Sequence, residues 1–130
     1  MILCQVVEAR CSWDYRDIVD KTVKKWGKVD ILVNNAAYQG PMQDDFRKLT
    51  RERLEFTFKT NIIAYFSMAQ KCVEHMARGS AIIDVCSINA YMPQPAILDY
   101  ASTKVHEYSD SLLSDSPGQH NMHCLSAYVR

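Results

Sequence analysis

Glycine is scarce in this chain: 130 residues contain four, Gly27, Gly40, Gly79 and Gly118. None forms a G-x-x-x-G or G-x-G element, so no glycine-rich turn within the sequence offers helix N–H groups to a phosphate. Net charge is also missing, because fifteen basic and fifteen acidic residues cancel. No long-range field draws the chain to nucleic acid or to an anionic membrane, and neither is expected as a partner. No apolar run approaches the roughly 20 residues that a bilayer-crossing helix needs. The opening MILCQVV lacks a basic stretch and reaches Glu8 and Arg10 too early for a secretory signal. The five cysteines, Cys4, Cys11, Cys72, Cys86 and Cys124, never pair as C-x-x-C. Such a scattered, odd set fits reduced thiols in a cytoplasmic compartment better than a disulfide framework. His120, His123 and Cys124 lack a second ligand pair and read as part of a polar tail, so no metal is expected.

What remains is one ordinary globular domain, residues 1–130, with 48% apolar and 23% charged residues. Residues 2–7 read as a short strand. Ser12 or Asp14 can cap a helix whose apolar positions Ile18, Val19, Val23 and Trp26 recur at helical spacing, with Gly27 just past its end. VDILVNN then packs Val29, Ile31, Leu32 and Val33 into a run suited to a strand covered on both faces. Residues 35–49 are loop-like, broken by Gly40-Pro41. A long helix is expected from about Thr50 to Arg78, with a stripe of Leu54, Phe58, Ile62, Tyr65, Phe66, Ala69, Val73 and Met76, and Gly79 beyond its end. Residues 81–86 form a second buried-type strand, and a helix begins near Leu98 or Asp99. Residues 114–130 diverge into a Ser-rich, poorly ordered tail. Alternating strands and helices imply a parallel sheet with helices on its faces, and ligands of such sheets bind at the carboxyl edge.

Four groups cluster near that edge. Ser87 follows the 81–86 strand and Asn34-Asn35 follow the 29–34 strand. Tyr100 and Lys104 lie one helical turn apart, close enough for an ammonium to sit beside a phenol. Asn61 sits among Phe58, Ile62 and Tyr65, where a buried amide needs partners. Each has a bland reading as a cap, turn or boundary residue. Seven Tyr and eight Lys give about 0.4 chance Y-x-x-x-K pairs, so that motif alone decides nothing. Order and spacing together decide more.

DILVNNAA at 30–37, KTNIIAYF at 59–66, AIIDVCSINA at 81–90 and DYASTK at 99–104, with Tyr100 thirteen residues after Ser87, resemble the short-chain dehydrogenase/reductase family. The resemblance covers about residues 16–104 and is strongest to the glucose/ribitol dehydrogenase type, which includes NADPH-dependent aldehyde reductases. It implies a partial, truncated Rossmann-like fold: a doubly wound parallel sheet in three α/β/α layers. It also implies an oxidoreductase that moves a hydride between NADP or NAD and a small-molecule carbonyl or alcohol, an aldehyde or a sugar alcohol. Tyr100 would be the general acid/base, and Lys104 would favour the phenolate and bind the nicotinamide ribose. Ser87 would hold the substrate oxygen, and Asn61 would position a water in a proton relay to Lys104. Asn35, Ala36 and Ala37 would approach the cofactor through their backbone, with Ala37 in place of the usual Gly.

The family's T-G-x-x-x-G-x-G loop has no counterpart here, which predicts weak cofactor binding and little activity from these 130 residues alone. In the family's strand order, residues 2–7 would be separated from 29–34 by the two missing strands. That leaves either an exposed strand edge or a direct pairing of the two segments. The helices at about 50–78 and 98–113 correspond to the family's dimer interface, so a homo- or hetero-oligomer through them is expected. The alternative role is that of a non-catalytic member pairing with a full-length relative.

Overall fold

The structure, a computed structural model, describes residues 2–5, 15–110 and 123–129, with side chains for residues 17–105. Four parallel strands form one sheet in the order β1 (Ile2–Gln5), β2 (Val29–Asn34), β3 (Met76–Ser87) and β4 (His123–Val129). Helix α1 (Tyr15–Trp26) joins β1 to β2. Helices α2 (Arg51–Phe58) and α3 (Ala64–Val73), fused through a π-helical turn at Lys59–Ile63, join β2 to β3. Helix α4 (Leu98–Asp110) follows β3. The parallel sheet is the one that the alternation of elements implies, and the whole is the partial Rossmann-like α/β architecture that the resemblance implies.

Several local expectations change. Residues 2–5 pair directly with β2, Ile2 beside Ile31 and Gln5 beside Asn34. The direct pairing is therefore the one formed, and β1 supplies the hydrogen bonds an open β2 edge would lack. Residues 123–129, read above as tail, add a strand to β3, with Ile82 beside Cys124. The expected cap at Ser12 or Asp14, His120 and the helix end at 111–113 lie outside the described residues.

The long helix stops at Val73, not Arg78. Val73 and Met76 keep helical spacing, so periodicity alone misses the stop. The His75 carbonyl accepts from the Val29 amide at 3.1 Å, and Met76 already pairs with Val29 in the sheet. Gly79, at φ +89, serves a bend inside β3, where the register shifts between Val29 and Ile31. Gly27, at φ +80, does end α1 as expected, its amide bonded to the Val23 carbonyl at 2.7 Å.

The core gathers Val19, Val29, Leu32, Met68, Cys72 and Ile82 between α1, α3 and the sheet. Trp26 is not part of it: the ring is 54% exposed, with the Lys25 ammonium 4.3 Å from its centroid. The stripe of α2–α3 also faces differently. Phe58, Phe66 and Val73 are exposed, whereas Thr57, Asn61, Ala64, Tyr65, Met68 and Cys72 are buried. Between Thr57 and Asn61 the buried face is polar because α4 meets it with polar side chains.

Candidate active site

The carboxyl ends of β2 and β3 carry the polar residues. Asn34 closes β2 and Asp84 lies beside it in β3; the Asn34 amide donates to the Asp84 carboxylate at 2.8 Å, both side chains buried. The chain leaves the sheet at Asn35–Ala37, where Ala36 is buried between exposed Asn35 and Ala37. Ser87 ends β3 in extended conformation, and its Oγ accepts from the backbone and side-chain nitrogens of Asn89, each at 3.3 Å. An oxygen holding two donors keeps its own proton for an acceptor in front of it.

Helix α4 returns to this edge, entered through a turn with Pro95 at its start. Lys104 is almost wholly buried, and its Nζ donates to the Val85 carbonyl at 2.9 Å. The ammonium lies 5.5 Å from the Tyr100 ring centroid and 6.0 Å from that of Tyr65. The Cys86 thiol contacts the Lys104 carbonyl at 3.3 Å. Lys104 is thus tied to β3 at its backbone and at its tip, and the ammonium is delivered beside the phenol within two residues of Ser87.

Asn61 lies in the π-helical turn and is fully buried. Its Oδ1 accepts from the Tyr38 amide at 2.7 Å; its Nδ2 donates to the Tyr38 carbonyl at 3.1 Å and to Thr103 Oγ1 at 3.0 Å. Thr103 in turn donates to the Tyr100 carbonyl at 2.7 Å. The amide therefore joins the loop after β2 to the helix carrying Tyr100 and Lys104. The Asn61 side chain is thereby committed to Tyr38 and Thr103.

A second linkage escaped the sequence reading. Arg53 grips Asp99 with two parallel bonds, Nε to Oδ2 at 2.8 Å and Nη2 to Oδ1 at 2.9 Å, and Thr57 Oγ1 lies 3.0 Å from Oδ2. Nη1 donates to the Pro41 carbonyl at 2.7 Å. Burial pushes the Asp99 carboxyl up, but the bonds from Arg53, Thr57 and the Tyr100 amide outweigh it and hold the group below its ordinary value. Hydrogen bonding to Asp99 raises the Arg53 guanidinium in turn. The sequence carries a signal for this seam: Arg53, Thr57 and Asn61 recur every fourth residue, as do Asp99 and Thr103, giving polar rows on facing helices.

Among the described residues, no three His, Cys, Asp or Glu side chains gather as a metal site. The donor set beside Tyr100 and Lys104 suits the nicotinamide and ribose end of a dinucleotide. Among the described residues no glycine-rich loop is present for the pyrophosphate end. Of the described glycines, Gly27 ends a helix, Gly79 bends β3, and Gly40 is packed against the Arg53 guanidinium.

A family model described as short chain dehydrogenase matches residues 2–116. The chain is 46% identical over 91 residues to the glucose and ribitol dehydrogenase of Daucus carota, covering 68% of this chain and 30% of that protein. It is 40% identical over 87 residues to the chloroplastic NADPH-dependent aldehyde reductase 1 of Arabidopsis thaliana, covering 67% and 30%. It superimposes on a glucose/ribitol dehydrogenase-type crystal structure from Brucella melitensis with a TM-score of 0.79 at 19% identity, over 95% of this chain and 50% of that one. The chain thus spans about a third of the length of the curated relatives it matches.

Proposed function

Because this chain belongs to the short-chain dehydrogenase/reductase family, we propose that it carries the carbonyl-handling half of an NAD(P)(H)-dependent oxidoreductase acting on an aldehyde or a sugar alcohol. The observation that carries this reading is the buried Lys104 ammonium held 5.5 Å from the Tyr100 ring at the carboxyl end of β3. Tyr100 gives its proton to the carbonyl oxygen during reduction and takes it back in the reverse direction. Ser87, its oxygen already accepting from Asn89, donates its own proton to the same carbonyl oxygen. Lys104 places its ammonium beside the phenol, 5.5 Å from the ring centroid. Asn61 orders the relay through the π-turn main chain, its amide being committed to Tyr38 and Thr103.

Asn35, Ala36 and Ala37 through their backbone, with Tyr100 and Lys104, would hold the nicotinamide and its ribose; the bound NADP or NAD supplies the hydride. The named relatives make NADPH the first cofactor to test. With no glycine-rich loop among these residues, binding is expected to be weak and turnover slow. The buried thiols of Cys72 and Cys86, neither in a disulfide among the described residues, fit a reducing compartment such as the cytoplasm. No helix among the described residues is long and apolar enough to cross a membrane. Titration of NADPH fluorescence with the chain tests the cofactor assignment: a saturable signal lost in Lys104→Ala supports it, and a linear, unsaturating signal refutes it.

A second reading is favoured by the outward face of two helices. Phe58, Phe66 and Val73 on α2–α3 are 37%, 44% and 40% exposed, and Leu98 and Val105 on α4 are 42% and 49% exposed. Two apolar rows of this kind suit helix-to-helix pairing with a second copy or a full-length relative. Sedimentation velocity decides: a dimer that dissociates in Phe66→Asp/Val105→Asp supports pairing, and a monomer at high concentration opposes it.

A further inference from the structure

The seam between α2 and α4 is more than a filler of space. Asp99 stands immediately before Tyr100, is 2% exposed, and receives the two-pronged Arg53 guanidinium together with the Thr57 hydroxyl. Arg53 is itself held by the Pro41 carbonyl, and a Cβ on Gly40 would come within 2.7 Å of its guanidinium carbon. One turn further along α4, Thr103 is held by Asn61. Two anchors one turn apart on the same helix face fix the rotation of α4 about its own axis.

That rotation matters for chemistry. Side chains reach about 5–6 Å from a helix axis, so a turn of about 10° moves a side-chain tip by about 1 Å. Misplacement by about 1 Å costs on the order of 10²-fold in rate. An apolar pair of similar volume would hold α2 against α4 equally well, since buried ion pairs rarely stabilise more than their apolar replacements. A fork gripping a carboxylate at two points adds direction. We propose that Asp99 and Arg53 are positioning residues for Tyr100: their two-point contact, braced by Thr57, sets the rotation of α4 that turns the phenol toward Lys104 and the end of β3. The inference rests on the assignment of Tyr100 as the acid/base.

The test compares the full chain with Arg53→Met/Asp99→Leu, a double variant that keeps volume and removes direction. One readout needs no turnover: the nuclear Overhauser effect between the Tyr100 ring and the Lys104 ε-methylene in selectively labelled protein. The other is aldehyde reduction with NADPH, split into kcat and KM. The expected result is a folded variant whose Overhauser effect falls at least threefold, with kcat down at least tenfold and the aldehyde KM within twofold. An Overhauser effect and kcat within twofold of the parent overturn the proposal, as does a kcat loss matched by the fraction unfolded. If the double variant does not fold, Thr57→Val makes the same comparison. A two- to fivefold fall in both readouts supports the proposal, and no change overturns it. If the parent chain shows no turnover, the assignment of Tyr100 fails, while the Overhauser comparison still decides whether the pair orients the helix.

Discussion

Asn61 and Thr103 lie 42 residues apart in sequence and share a 3.0 Å hydrogen bond in the interior, with the Asn61 amide also bonded both ways to the backbone of Tyr38. One side chain thereby satisfies three groups on two other segments. Replacing it by Leu leaves the part-buried Tyr38 amide and carbonyl and the buried Thr103 hydroxyl without that partner. An unsatisfied buried group costs about 1–3 kcal/mol, so Asn61→Leu is expected to lower the unfolding free energy by at least one such increment, read as a lower urea midpoint at unchanged m-value. Phe66→Ser, on the exposed face, is the contrast and should change stability little in the monomer.

The Asp99 carboxyl is held below its ordinary value, which fixes the sign of its pH dependence. Its stabilising contribution is present above the unfolded value of about 3.9. It is lost as pH falls through the lower folded value, because the unfolded chain then binds the proton first. Stability measured from pH 6 downward should therefore fall less steeply on the acid side in Asp99→Asn than in the parent. Equal slopes would show that the pair is not formed in solution.

Burial pushes the Cys72 thiol up to about 11. At pH 8 such a group is about one part in a thousand thiolate, against roughly a quarter for a free thiol near 8.5. Labelling of Cys72 by a thiol reagent should be at least a hundredfold slower in the folded chain than in urea, with mass spectrometry locating the label. Rapid native labelling would mean that α3 does not stay packed on the sheet.

Gly27→Ala and Gly40→Ala should fail for different reasons. At Gly27 a Cβ meets nothing within 4 Å, and the cost lies in the backbone at φ +80. At Gly40 a Cβ meets Arg53 atoms at 2.7–2.9 Å, and that guanidinium cannot swing away without releasing Asp99 and Pro41. The expected cost is about 1–3 kcal/mol. It should be strongly non-additive with Arg53→Ala in a double-mutant cycle, because the second change removes the obstacle. For Gly27→Ala the same cycle should be additive.

Much of this arrangement was legible in the letters. Val29–Asn34 and the 81–86 stretch read as buried strands because β-branched and aliphatic residues dominate both runs, each broken only once inside by an aspartate, Asp30 and Asp84. Tyr100 and Lys104 sit on one helix face at a spacing that only a helix makes useful. Less was legible where one periodic signal served two purposes. Phe58, Phe66 and Val73 have the spacing of a core stripe yet face outward, and Met76 continues helical spacing while its backbone is already in the sheet. The Arg53–Asp99 pair stayed hidden because charged residues on a helix are usually solvated, and only the facing polar rows show otherwise. The pairing of residues 2–5 with β2 depends on which strands are present to compete for that edge, which no local pattern records.

The most direct test is deuteride transfer. The chain is incubated with an aldehyde and NADPH carrying deuterium at C4, and the alcohol product is analysed by mass spectrometry, which detects even slow turnover. Tyr100 as proton donor requires deuterium in the alcohol above the protein-free control and a loss of at least a hundredfold in Tyr100→Phe. Equal labelling by the parent and Tyr100→Phe, or none from either, would contradict the assignment of this cleft as a carbonyl-reducing site.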